Sequence, residues 1–124
     1  MRRRFMVKKV LAGLFLGVLL SVQQPVLAVD WYYVGETYDN DQFFIDNDSV
    51  IKDESYADVW VKINIEDGYY LLQHIRLDRA NRYMTVLETR VFDPNNRLEE
   101  TDTEVETDNI EPGTMAEAVY DLIW

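Results

Sequence analysis

Apolar and polar residues alternate one for one through residues 58–65. Val59, Val61, Ile63 and Ile65 take one side, and Asp58, Trp60, Lys62 and Asn64 take the other. A period of two predicts a half-buried β-strand. Glu66-Asp67-Gly68 follows, which reads as a three-residue hairpin loop with Gly68 in the left-handed conformation. That loop sets a register: Ile65 opposite Tyr69, Ile63 opposite Leu71, Val59 opposite Ile75. On the other face it sets Asp58 across from Arg76 and Trp60 across from His74, so apolar meets apolar and opposite charges pair.

Weaker versions of the pattern flank this hairpin. A turn at Arg79-Ala80-Asn81, with Asn81 tolerating the left-handed conformation, is expected to place Asp78 opposite Arg82 and start a strand over residues 82–92. Asp93-Pro94-Asn95-Asn96 is a turn with Pro at its second position. It leads into residues 97–107, where Thr alternates with acids, a solvated edge strand whose charges discourage edge-to-edge pairing. Upstream, residues 31–34 and 42–46 form a candidate strand pair joined by the polar loop 36–41. Residues 49–51 add a short strand or turn.

At the end of the chain the period changes. Ile110-Glu111-Pro112-Gly113 breaks the strand pattern, and Thr114-Met115-Ala116-Glu117 reads as a capping box. Met115, Ala118, Val119, Leu122 and Ile123 fall at i, i+3, i+4, i+7 and i+8, one face of a helix. So short a helix does not hold alone in water and must lie on the sheet. The expected fold is α+β: an antiparallel meander of about five to six strands packed by one C-terminal α-helix.

Charge changes the picture once the N-terminus is set apart. Residues 1–28 carry five basic residues (Arg2, Arg3, Arg4, Lys8, Lys9) and no acid, then an uncharged apolar run over residues 10–20, and finally Pro25 ahead of Val26-Leu27-Ala28. These are the three parts of a secretory signal. Cleavage is expected after Ala28, leaving residues 29–124 as a single exported domain, secreted or held in the periplasm or cell envelope. The apolar run is short for a bilayer span, and no Cys follows it to take a lipid, so no stable membrane anchor is expected after cleavage. Seven basic against 23 acidic side chains then remain, a net charge of −16. That charge repels phosphate and argues against nucleic acid and anionic membranes as partners. It also argues for steering towards basic partners. There is no Cys anywhere, so stability has to come from the core.

The run Phe44-Ile45-Asp46 through Ser49-Val50, then Val59-Trp60-Val61, then Asp78 to Tyr83 (DRANRY) resembles the surface-adhesin protein E family. Ile110-Glu111-Pro112-Gly113-Thr114-Met115-Ala116-Glu117 is similar to that family's I-x-P-G-[ST]-x-A-E helix entry. The resemblance runs from Trp31 to Trp124 and rests on the order and spacing of short motifs, none of them catalytic. It implies an antiparallel sheet backed by a C-terminal helix, in a small secreted or envelope protein, with adhesion to host matrix proteins and plasminogen known for some members. Where many members carry a Cys beside the position of Asp78 and another at the helix end, this chain has Arg79 and Trp124.

Few residues offer chemistry. Asp39-Asn40-Asp41 and Asp46-Asn47-Asp48 lack the Gly and Glu that would continue an EF-hand loop, and read as solvated turns. His74 is the lone histidine, and without Cys it builds no zinc site unless carboxylates complete it. Outside residues 1–28 the only serines are Ser49 and Ser55, both in polar turns. No catalytic residue, cofactor or metal is expected, and the chain reads as a non-enzyme. The aromatic residues are the better lead: Trp31, Tyr32, Tyr33, Phe43, Phe44, Tyr69 and Tyr70 occur as sequence neighbours. Neighbours on a strand point to opposite faces, so the rings must populate both. Either they simply cover the face the helix leaves free, or Trp60, Tyr70, Leu72 and His74 form an exposed patch that contacts a protein. The expected function is a binding module recognising a host matrix or envelope protein through its sheet face. The alternative is an envelope accessory or structural subunit acting by docking or self-association, for which a homodimer would serve.

Overall fold

A computed structural model of the protein describes residues 29–124. The leader expected over residues 1–28, and its cleavage site, lie outside the described residues. Eight strands and one α-helix follow in order: β1 Trp31–Glu36, β2 Gln42–Asp46, β3 Ile51–Lys52, β4 Tyr56–Asn64, β5 Tyr70–Asp78, β6 Tyr83–Phe92, β7 Leu98–Asp102, β8 Glu106–Asn109 and α1 Met115–Ile123. They form a single antiparallel sheet in the order β1-β2-β4-β5-β6-β7, with β3 also on β4 and β8 also on β6. The α+β meander closed by a C-terminal helix stands, with more strands than the five to six expected. Two lanes of the sheet are each broken in two. A short turn, Asn47–Ser49, separates β2 from β3, which share one flank of β4. The acidic edge expected as one strand over residues 97–107 is interrupted at residues 103–105 and pairs with β6 as β7 and β8.

β4 is the spine of the sheet, and its alternation is legible in burial. Ala57, Val59, Val61 and Ile63 are buried while the residues between them are half-exposed. The β4–β5 register agrees with the alternation pair by pair: Asp58 with Arg76, Val59 with Ile75, Trp60 with His74, Ile63 with Leu71. The loop between them closes with Ile65 N–H donating to Tyr69 O at 3.0 Å. Gly68 takes φ +80°, and Asp67 joins it in the left-handed region at φ 62°. A Cβ on Gly68 would stand 3.1 Å from Pro94 Cβ, so the 93–96 turn leans on this loop and would have to give by a few tenths of an ångström to admit a side chain.

The next hairpin corrects the expected register. Asp78 faces Tyr83, not Arg82, so the loop has four residues, and Arg82 (φ 54°), not Asn81, is left-handed. Asn81 instead donates its backbone N–H and its amide to the Asp78 carboxylate. Arg82 is drawn out of the strand by what it binds. Its carbonyl accepts from Ile110 N–H at 2.8 Å, and its guanidinium reaches Glu117 Oε2 at 3.1 Å and covers the Tyr120 ring. A second irregularity follows: His74 faces Glu88 while Ile75 faces Val86. Leu87 is therefore an extra residue in β6, a bulge that bends the sheet.

α1 packs on the face carrying Val59, Val61, Ile75 and Leu77, together with Ile45 and Ile110. Thr114 Oγ1 accepts from Glu117 N–H. The reciprocal bond lands one residue early, with Gly113 N–H donating to Glu117 Oε1 at 2.9 Å. The buried stripe is rotated from the expected one. Val119 and Ile123 are buried and Ala116, Tyr120 and Trp124 pack beside them, while Leu122 is 46% exposed. Two contacts choose this rotation: Met115 lies over Gly35, where a Cβ would come within 3.1 Å of Met115 Cε, and Tyr120 O–H donates to Arg79 O at 2.8 Å. At the helix end Lys52 Nζ donates to Ile123 O, the Trp124 indole Nε1–H donates to Asp53 O at 3.0 Å, and the Arg79 guanidinium covers the Trp124 ring at 5.5 Å. Arg79 and Trp124 thus tie helix to sheet without a covalent bond.

Candidate functional site

With α1 on one face, no element among the described residues covers the opposite face of the sheet. Register assigns its side chains, because residues paired across strands share a face. One row holds Asp58, Arg76 and Thr85; the next holds Trp60, His74 and Glu88; the next holds Phe44, Lys62, Leu72 and Arg90; the last holds Asn64, Tyr70 and Phe92. Trp60, Tyr70, Leu72 and His74 therefore share this face, over three adjacent rows of β4 and β5.

Their surroundings are aromatic and cationic. The Trp60 and His74 rings stack with centroids 5.1 Å apart and planes 16° from parallel, and the Arg90 guanidinium sits 4.9 Å from the Trp60 ring centre. Tyr70 stacks on Phe92 at 4.9 Å, and Tyr33 meets Phe44 edge-on at 5.4 Å. Lys62 Nζ lies 4.8 Å from the Tyr70 ring and 5.9 Å from that of Trp31. Cations against ring faces are attracted by the ring quadrupole, and more strongly where water is excluded. Sequence reading did not single out Arg90 and Phe92, although Asp78 opposite Arg82 would also have put them on this face; the longer loop and the Leu87 bulge each shift β6 by one residue, and together they restore that phase. Trp31 was noticed only as one of a run of rings.

At one end of the face Asp58 takes two hydrogen bonds from Arg76, Nε at 2.7 Å and Nη2 at 2.9 Å. These hold the Asp58 carboxyl below the ordinary carboxylate range, against a smaller opposing effect of burial, and raise Arg76 in turn. His74 Nε2 stands 3.6 Å from Asp58 Oδ2, outside hydrogen-bond range. An open depression of about 470 Å³ lies beside this pair, lined by Ile51, Tyr56, Asp58 and Arg76 among others. At the other end the Tyr70 hydroxyl donates to Asn96 Oδ1 at 3.1 Å. Burial first, and the charge of Asp93 second, push that phenol above its ordinary pKa.

No family model matches this chain, and neither does any curated protein or solved structure.

The two acidic turns are closed locally, the second by a carboxylate oxygen and the first by its backbone. Asp46 Oδ1 accepts from Asp30 N–H and Asp48 N–H, and the backbone of residues 37–41 closes on itself with Asn40 left-handed at φ 67°. Among the described residues, no three His, Asp or Glu side chains converge as a metal-holding group. Among them, too, no helix is long and apolar enough to cross a membrane. Ser49 has a positioning role that its turn context concealed. Its hydroxyl donates to Asp46 O and accepts from Trp60 N–H at 3.0 Å, filling the gap between β2 and β3 where β4 has no strand partner. The backbone under Trp60 is thereby held in the sheet.

Proposed function

We propose that the domain is an exported, non-enzymatic binding module of the surface-adhesin E type, which contacts a host matrix or envelope protein through the helix-free face of its sheet. The observation that carries this reading is the composition of that face. Trp60, Tyr70, Leu72 and His74 lie together with Phe44, Phe92 and Arg90, half-exposed on hydrogen-bonded strands. Aromatic residues and Arg are the types enriched in the buried centres of protein interfaces, and placement on strands rather than loops keeps such anchors pre-organised. The order and spacing of the motifs that resemble those of the adhesin family support the same reading.

The test is saturable binding of residues 29–124 to immobilised host matrix proteins, plasminogen and envelope extract, with Trp60→Ala alongside. Truncating a central anchor costs at least about 2 kcal/mol, roughly 30-fold in affinity. Binding to a matrix protein or plasminogen weakened to that extent supports the adhesin reading. Binding to envelope extract alone, or to nothing, removes adhesion and leaves the accessory subunit.

A further inference from the structure

The net charge of −16 on residues 29–124 argues for a basic partner, but the register turns four of the acids away from the candidate face. In β7 and β8, Glu100, Asp102, Glu106 and Asp108 pair with Val91, Thr89, Val86 and Met84 of β6. Met84, Val86 and Val91 in turn pair with Leu77, Ile75 and Leu71, so these four acids lie on the helix side. The residues between them, Thr101 and Thr107, fall on the helix-free side, where Thr107 Oγ1 bonds Thr85 Oγ1 at 2.9 Å. Within the four rows of β4–β6 on that face stand three permanent cations, Lys62, Arg76 and Arg90, against two carboxylates, Asp58 and Glu88. An acidic domain thus presents a face whose centre is not acidic.

The carboxylates there are already taken, Asp58 by Arg76 and Glu88 by Arg90. Lys62 is the cation of this face with no carboxylate partner among the described residues. Its ammonium is held by the Tyr70 and Trp31 rings, and its row neighbours are Phe44 and Leu72. An anion arriving there meets the ammonium of a half-buried lysine beside aromatic rings, where a charge-assisted hydrogen bond is stronger than on open surface. We infer that the protein partner places a carboxylate on Lys62 and apolar side chains on the flanking rings, so that its contact segment is acidic and apolar, not basic. This rests on the face being the contact surface. At about 0.15 M salt the Debye length is about 8 Å, so acids elsewhere on the domain are largely screened while the contact at Lys62 is not.

The experiment titrates residues 29–124 into three labelled extended octapeptides, alternating Val with Glu, Gln or Lys, and into labelled heparin, all in 0.15 M NaCl, read by fluorescence anisotropy. Lys62→Met, Lys62→Arg and Trp60→Ala run in parallel, with their folds checked by circular dichroism. The Glu peptide should bind at least about tenfold tighter than the Gln peptide, about 1.4 kcal/mol. Lys62→Met should erase that preference while retaining Gln-peptide binding, and Lys62→Arg should keep it. A preference for the Lys peptide that Trp60→Ala abolishes would overturn the acidic partner and leave the contact face standing. Binding indifferent to Trp60→Ala would overturn the face itself. Heparin bound more tightly than the Glu peptide and lost with Lys62→Met would replace the carboxylate by a sulfated polysaccharide, and no binding of any peptide at millimolar concentration would end the inference.

Discussion

Ile123→Ala and Leu122→Ala are neighbouring substitutions that this fold separates sharply. Ile123 is 4% exposed in the core under α1, with Val119 one turn before it, whereas Leu122 is 46% exposed. Removing three buried carbons from Ile123 forfeits about 0.8 kcal/mol for each, roughly 2.4 kcal/mol in all. The cavity left behind raises the expected cost to about 2–4 kcal/mol. The Lys52 bond to the Ile123 carbonyl is a backbone contact and survives the change. In a domain of this size each kcal/mol moves the thermal midpoint by about 4–8 °C, so Ile123→Ala should melt at least about 8 °C below the parent. Leu122→Ala should stay within about 1 kcal/mol, since half its side chain is in water and Ala is the better helix former. Urea unfolding followed by circular dichroism measures both. Equal costs at 122 and 123, or a larger one at 122, would refute the helix rotation and the packing argument built on it.

Three further perturbations probe separate parts of the structure. Asp53, Asp58 and Asp78 are all held below the ordinary carboxylate range, by backbone N–H groups of Tyr56 and Ser55, by Arg76, and by Asn81 respectively. The unfolded chain therefore takes up protons first, and stability present at neutral pH is lost as pH falls below about 4 through the folded-state values. The urea midpoint should drop between pH 5 and pH 2, with a shallower drop in Asp58→Asn. Tyr70 runs the other way: its phenol is raised, so the unfolded state ionises first and stability falls as pH climbs past about 10. Ultraviolet titration of Tyr70→Phe should lack a late-titrating phenol that the parent shows. Gly68→Ala has to accept φ +80° and a Cβ 3.1 Å from Pro94, whereas Gly113→Ala meets the same φ with nothing within 4 Å. Both should destabilise by about 1 kcal/mol or more for the left-handed backbone, and Gly68→Ala should cost more in the same unfolding assay.

Much of the fold was legible because its central hairpin is local. Alternation through β4, a three-residue loop and a matching alternation in β5 permit one register that puts Val59, Val61, Ile63, Leu71, Ile75 and Leu77 on one face, and a slip by one would break that match. The four-residue loop before β6 was not legible. Arg is not a residue that favours positive φ, and Arg82 adopts it for bonds to Ile110 and Glu117, more than twenty residues away in the chain. The Leu87 bulge likewise carries no Gly or Pro to announce it. For α1 the apolar stripe could lie with Ala118 and Leu122 on its flank or with Ala116 and Tyr120, and contacts to Gly35 and Arg79 made the choice. The candidate site divides the same way. Trp60, Tyr70, Leu72 and His74 followed from the hairpin register, while the pairing of Arg90 with Leu72 and of Phe92 with Tyr70 required the longer loop and the bulge together. The separation of Thr from acid along the edge lane was visible as alternation, but which side faced the helix depended on β6.

The central claim is that the helix-free face, and not the helix face, meets the partner. Its most direct test is the dissociation constant of parent, Trp60→Ala and Leu122→Ala domains on one immobilised matrix protein or plasminogen that the parent binds. Both variants leave the core intact, and they sit on opposite sides of the sheet. The account predicts a loss of about 30-fold or more for Trp60→Ala and affinity within about twofold of the parent for Leu122→Ala. Retained affinity in Trp60→Ala with a loss in Leu122→Ala would contradict it and move the contact surface to the helix.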